Sequence, residues 1–274
     1  MKNYILQDFS AQKTLEAIEQ NFIGFISDYV CTGHGDIYEE PEHTWVFTGT
    51  PLKFFNGVIR TSLASSDSDM KIKTLLNFFQ SRQQVMTWWV SPLARPTDLS
   101  HRLVAHGLTL SWKEVGMTID LHNINEIPPS SHGLVIERVQ DEQTMQEWIR
   151  TNARGFAMDE HESTAYRKLV TSVPHHQHPV GPFYLARLDG EPVATSALYC
   201  AGGVAGIYQV STVPSARQQG IGSAITMAAL LDARAMGYRM GIVLAESMGV
   251  SVYRRLGFTA CCTFDAYCPQ SPAS

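Results

Sequence analysis

The stretch from Ile207 to Gly222, IYQVSTVPSARQQGIG, decides how the chain is read. A β-rich run ends at Pro214, a loop with two glycines follows, and an Ala-rich helical pattern continues from it. Strand, glycine loop and helix N-terminus in that order make a site for an anionic phosphate group. The first-turn N–H groups of a helix have no intrahelical acceptors, and the peptide dipoles add partial positive charge there. Gly220 and Gly222 let a diphosphate approach the backbone where a Cβ would block it. Arg217 adds a fixed planar cation. The spacing is neither the dinucleotide GxGxxG nor a Walker loop, since no Gly-Lys-Ser/Thr follows. Alone, an RxxGxG is more often a turn, so the surrounding chain has to decide.

The chain has 274 residues, room for one large domain or two ordinary ones. A net charge of −5 argues against a general nucleic-acid binder, which needs a basic face. No apolar run is long enough to span a bilayer and no N-terminal signal pattern is visible, so a cytoplasmic protein without membrane partners is expected. Five cysteines without a CxxC read as reduced thiols.

The first half predicts a helix over 11–29, strands over 44–50 and 56–62, a helix over 69–79, a strand over 85–90, a short helix stopping before Gly107, and one or two strands over 108–121. The Pro-, Ser- and Gly-rich segment 127–133 is the best linker. The boundary placed there gives domains of 1–128 and 129–274. The second half predicts the order βααβββαβαβ, with helices over 141–153, 163–172, 220–236 and 247–256 and a hairpin turning at Asp189-Gly190. Both halves share the order strand, helix, strand, helix, strand, which reads as an internal repeat. The phosphate loop does not repeat: after Ser62 the first half runs LASSDSD, acidic where an anion would sit. The expected class is mixed α/β, a central mixed sheet flanked by helices.

Further along stands Tyr253-Arg254-Arg255-Leu256-Gly257-Phe258, a short helix end with Gly257 as its natural cap. With VxTxPxxRxxGxG at Val210 to Gly222 and the hairpin Gly190-Glu191-Pro192-Val193-Ala194, the second half resembles the GNAT superfamily of acetyl-CoA-dependent N-acyltransferases. The first half is similar to the N-terminal half of its two-domain members, as a degenerate copy without the cofactor loop, through Phe55-Asn56-Gly57-Val58, Trp88-Trp89-Val90 and Met117-Thr118-Ile119-Asp120-Leu121.

The resemblance implies acetyl-CoA as acyl donor, no metal, and direct attack by a neutral primary amine of a small molecule or peptide. It implies that the backbone at Val210, Thr212 and Val213 pairs with the pantetheine arm. Gln218, Gln219, Gly220, Ile221, Gly222 and Ser223 would hold the diphosphate through their N–H groups, with Arg217 beside them. A strand N–H near Val210 would polarise the thioester carbonyl. Tyr253 would protonate the leaving thiolate. Many members carry Asn or Ser where this chain has Glu246, which is either a solvated helix-capping residue or a base for the ammonium acceptor. A monomer or a homodimer is compatible with these features. The competing reading is a non-catalytic acyl-CoA-binding sensor or scaffold.

Other residues invite function less strongly. His175, His176 and His178 have no acidic or Cys partner at ligand spacing, so a loop is expected there. Residues 159–162, Asp-Glu-His-Glu, are either an acidic helix start or part of the acceptor pocket. By strand alternation Tyr208 and Ser211 are expected on opposite faces.

Overall fold

The computed structural model describes residues 4–125 and 132–270; part of the 127–133 linker lies outside the described residues. Eleven strands form one sheet in the order β1-β2-β3-β4-β11-β5-β10-β9-β8-β7-β6. The first half supplies α1 (Ala11–Thr32), β1 (Asp36–Glu39), β2 (His43–Phe47), β3 (Gly57–Thr61), α2 (Ser68–Ser81), β4 (Thr87–Val90), α3 (Leu99–Ala105) and β5 (Leu108–Asp120). The second supplies β6 (Leu134–Arg138), α4 (Glu142–Gly155), α5 (Glu160–Val170), β7 (Phe183–Leu188), β8 (Glu191–Ala201), β9 (Val204–Thr212), α6 (Ile221–Ala235), β10 (Met240–Ala245), α7 (Ser247–Arg255) and β11 (Thr259–Pro269). The order βααβββαβαβ is as expected, and 108–120 is a single strand.

The centre of the sheet is symmetric in a way the pattern does not announce. Reading outward from β11 and β5, the neighbours are β4 and β3 on one side and β10 and β9 on the other. The last strand of each half therefore lies inside the other half's strands. β11 runs antiparallel to both β4 and β5, from Thr259↔Thr118 to Pro269↔Leu108 along β5. β5 in turn pairs with β10 from Met240↔Asp120 to Ala245↔Val115.

Local chemistry explains most boundaries. Asp141 and Asp159 each accept the backbone N–H three residues on, with Thr144 and Glu162 reaching back, so α4 and α5 both open with a capping box. For α5 this sets the start at Glu160 rather than at the expected Ser163. Asp189 (φ 51°) and Gly190 (φ 88°) turn the β7–β8 hairpin, with positive φ at both central residues, as a two-residue connection of this twist needs.

One face of the sheet is covered by α1, α4 and α5, the other by α6. Phe22 of α1 sits edge-on to Trp89 of β4 at 5.1 Å and to Phe264 of β11 at 5.3 Å. Phe25, one turn on, stacks on Tyr208 of β9 at 3.8 Å. Buried Asn21 stands one position before Phe22: its amide donates to the carbonyls of Tyr199, Ala201 and Val204, and its oxygen accepts from the Tyr208 hydroxyl at 2.9 Å. A helix of the first half is thus fastened to the β8–β9 hairpin of the second.

Candidate active site

β9 and β10 run parallel but are joined only at Gly241↔Ala205 and Ile242↔Gly206. Beyond Gly206 the ladder stops, and the second half of β9 keeps a strand only on its β8 side among the described residues. The two strands open toward their C-terminal ends, where parallel sheets place ligands.

A bulge shapes the β9 wall. Between Thr195↔Ser211 and Ala197↔Tyr208 the β9 strand has two residues, Gln209 and Val210, against one on β8, and Gln209 has φ 52°. The extra residue overturns the expected alternation. Tyr208 lies against Asn21 and Phe25 of α1, while Ser211 bonds Thr195, itself held by Asn152 of α4. Both side chains therefore face the helix layer of α1 and α4.

The β9 wall leads into the loop. Gln218 (φ 63°) and Gly220 (φ 77°) both take left-handed backbone, and the first intrahelical bond of α6 runs from Ala224 N–H to Gly220 O. The N–H groups of Ile221, Gly222 and Ser223 precede it, so they have no carbonyl within the helix to bond. A Cβ at Gly222 would come no nearer to protein than Thr212 Oγ1 at 3.6 Å. Packing therefore does not require a glycine there, and the bare backbone leaves space beside those N–H groups. This donor set fits a diphosphate.

Two of the expected cofactor residues, Val213 and Arg217, make hydrogen bonds within the protein. The N–H of Val213 donates to Val193 O at 2.9 Å, so it points to β8 and away from the opening. By alternation the N–H of Thr212 points the other way. Arg217 braces the loop: its Nε donates to Thr212 O at 3.1 Å and its Nη2 to Gly155 O at 2.9 Å. Gly155 is a close-approach position, since a Cβ there would run into the Ser211 side chain. Arg217 thus ties the end of α4 to the end of β9.

The β10 wall leads into α7. Glu246 stands at its N-cap position but is exposed and makes no side-chain cap bond. Tyr253, 8% exposed, packs edge-on against Phe258 at 5.5 Å. Burial first, and the charge of Glu114 second, push its hydroxyl well above the usual tyrosine range. It is therefore protonated near neutrality, the state from which an acid must start. Gly257, at φ 99°, ends the helix as expected.

Glu114 itself was not among the residues singled out from sequence. It lies on β5, one step past the Val115↔Ala245 pair that Glu246 also follows, and is only 7% exposed. The available signal was strand parity: Trp112, Glu114 and Gly116 share one face of β5, an unusual place for an acid.

Three of the remaining candidates, Asp159, Glu162 and His178, have structural roles. Asp159 and Glu162 cap α5. His178 is buried against Tyr29 and Phe183, and burial pushes its imidazole down to about 4, so it is a neutral packing group. Among the described residues, no cluster of three His, Cys, Asp or Glu is placed to hold a metal, and no helix is long and apolar enough to cross a membrane.

The fold is a mixed α/β sheet with one parallel strand pair opened at its C-terminal end, and the comparisons agree with that architecture. A family profile described as "Acetyltransferase (GNAT) domain" matches residues 129–244. Over these residues, fewer than half of the chain, the sequence is similar to the GNAT superfamily. Among solved structures, a GCN5-related N-acetyltransferase from Kribbella flavida superposes with a TM-score of 0.67 at 19% identity, over 91% of this chain and 95% of that one. One from Sphaerobacter thermophilus gives 0.60 at 16%, over 85% and 82%. A tandem GNAT protein from the clavulanic acid biosynthesis pathway gives 0.56 at 13%, over 85% and 79%. At these identities the likeness is one of fold. No curated protein matches the chain in sequence.

Proposed function

We propose that the chain is an N-acetyltransferase that takes acetyl-CoA into the opening between β9 and β10 and passes the acetyl group to a primary amine. The catalytic unit is the half from residue 129 onward, and the half before it is a relative without a cofactor loop. One observation carries the reading: the opening is flanked by unbonded first-turn N–H groups of α6 on the β9 side and by a buried, protonated Tyr253 on the β10 side.

Acetyl-CoA supplies an activated thioester. Gln218 to Ser223 hold the diphosphate on backbone donors, with Arg217 fixing the loop from behind rather than serving as the main phosphate ligand. Val210, at the bulge, and Thr212 offer backbone groups to the pantetheine arm. The Val210 N–H polarises the carbonyl. Tyr253 donates its proton to the departing sulfur.

The test combines thiol release from acetyl-CoA across a panel of amines with calorimetry of CoA binding. Tyr253→Phe is expected to lower kcat about a hundredfold or more while leaving acetyl-CoA affinity within about threefold. Unchanged turnover would remove its acid role. Tight CoA binding with no thiol released for any amine would select the sensor reading instead.

A further inference from the structure

The half that lacks the loop still reaches the reacting end of the site. Glu114 of β5 and Glu246, the residue just past β10 and the N-cap of α7, follow directly on the last pair of these antiparallel strands, Ala245↔Val115, and Glu246 is near enough for its charge to act on Glu114. They share a sheet face: Gly116, two residues along from Glu114, abuts Leu244, two residues before Glu246. Glu246 is exposed at the mouth, whereas Glu114 is buried behind it. Glu114 is also near enough to act electrostatically on both Tyr253 of α7 and Tyr208 of β9. The carboxyl group is thus buried within electrostatic reach of Tyr208 on the β9 wall, of Glu246 past the β10 wall and of the candidate acid.

We propose that Glu114, contributed by the N-terminal half, is the proton acceptor for the amine, and that Glu246 is the outer carboxylate that draws the ammonium ion in. This rests on the acetyltransferase reading. Glu114 takes one proton from the ammonium ion and later returns it to solvent. The freed amine nitrogen bonds to the acyl carbon, and the carbon–sulfur bond breaks. Tyr253 gives its proton to the sulfur and recovers one from the newly acylated nitrogen. One amide, one thiol and one released proton account for every atom and charge.

The surroundings suit the task. Burial, and secondarily the charge of Glu246, push the Glu114 carboxyl up to about 8, with the Trp112 side chain pulling the other way through a hydrogen bond. The other titratable groups facing it are Tyr208 and Tyr253, both protonated near neutrality. Lys53 stands over the Trp112 ring at 4.8 Å, and Cys262 of β11 lies against Gly116. A carboxyl held in this range accepts a proton from an alkylammonium ion far more readily than an ordinary one, because base strength follows its pKa.

The experiment has two readouts. In the free protein, ¹³C NMR of labelled glutamate carboxyls is expected to contain one resonance, absent from Glu114→Gln, that titrates near pH 8 and moves to lower pH in Glu246→Gln. In turnover at saturating amine, kcat is expected to rise with pH through the same midpoint. Glu114→Gln loses that limb and about a hundredfold in rate. Glu114→Asp, which keeps a carboxyl, recovers part of both, a rescue that a purely structural role would not give. Circular dichroism and CoA binding establish that each variant is folded. An active wild type whose Glu114→Gln variant keeps its rate and limb overturns the role of Glu114 alone, as does a Glu114 resonance titrating with ordinary carboxyls. A wild type that binds CoA yet releases no thiol with any amine of the panel overturns the acetyltransferase reading, and this role with it.

Discussion

β3–α2–β4 and β9–α6–β10 are the same construction put to different ends. Each is a strand, a crossover helix and a parallel strand, and each strand pair is joined at only two positions, Gly57↔Thr87 and Val58↔Trp88 in the first and Gly241↔Ala205 and Ile242↔Gly206 in the second. Past that point the first pair is closed again. Ser62 bridges to Arg95, the Leu63 N–H donates to Arg95 O at 3.1 Å, and Trp88 Nε1 donates to Thr61 Oγ1 at 3.0 Å. At the start of its helix, Asp69 binds Arg102 and His106. The second pair has no such bridge among the described residues, and its helix starts on glycines. Splaying two parallel strands is therefore not enough to make a site. The gap has to stay unlaced, and the helix behind it has to be left without its own anion.

That contrast can be broken deliberately. The largest effect is expected from Gly222→Asp, which puts into the second half the acid that the first half carries. A carboxylate beside the first-turn N–H groups competes for the place of the diphosphate and repels it, so CoA affinity should fall at least about a hundredfold in calorimetry, with the fold kept. Undiminished binding would mean that the diphosphate lies elsewhere.

Next in size is the fastening between halves. Asn21→Ala removes a fully buried amide and leaves three carbonyls and the Tyr208 hydroxyl short of a partner, at a cost of about 2–4 kcal/mol in denaturant unfolding. A change under about 0.5 kcal/mol would mean that α1 merely lies on the hairpin. The smallest effect is expected from Asp69→Asn in the first half. It breaks two exposed ion pairs, so stability should drop slightly and CoA affinity should not move. A gain in CoA stoichiometry would show that the acid alone had been keeping a second site shut.

Much of this was legible in the chain. Helical and strand periodicities placed nearly every element, and the glycines at 190, 220 and 257 marked turns and caps at positions where positive φ is now found. What escaped is what periodicity does not encode. Alternation says that 108–120 is a strand but not that it pairs with β10 and β11, because partner choice depends on packing far along the chain. The bulge at Gln209 and Val210 has no glycine to announce it, and it turned Tyr208 and Ser211 to one face. That Arg217 also braces the loop is not legible in the chain, because its acceptors, Thr212 O and Gly155 O, are backbone atoms brought in only by folding. Glu114 was hidden for the same reason as the strand exchange: its relevance comes from lying near Glu246, in the other half of the sequence.

The palindromic strand order has a consequence for how the molecule is made. β4 and β5 are separated by β11, which follows β6 through β10 in the chain. Until Thr259–Pro269 is in place, two inner strands present raw edges of the kind that pair promiscuously with other chains. The halves cannot mature one after the other like beads. The middle of the sheet needs strands from both, so a chain cut before β11 is expected to expose edges that aggregate.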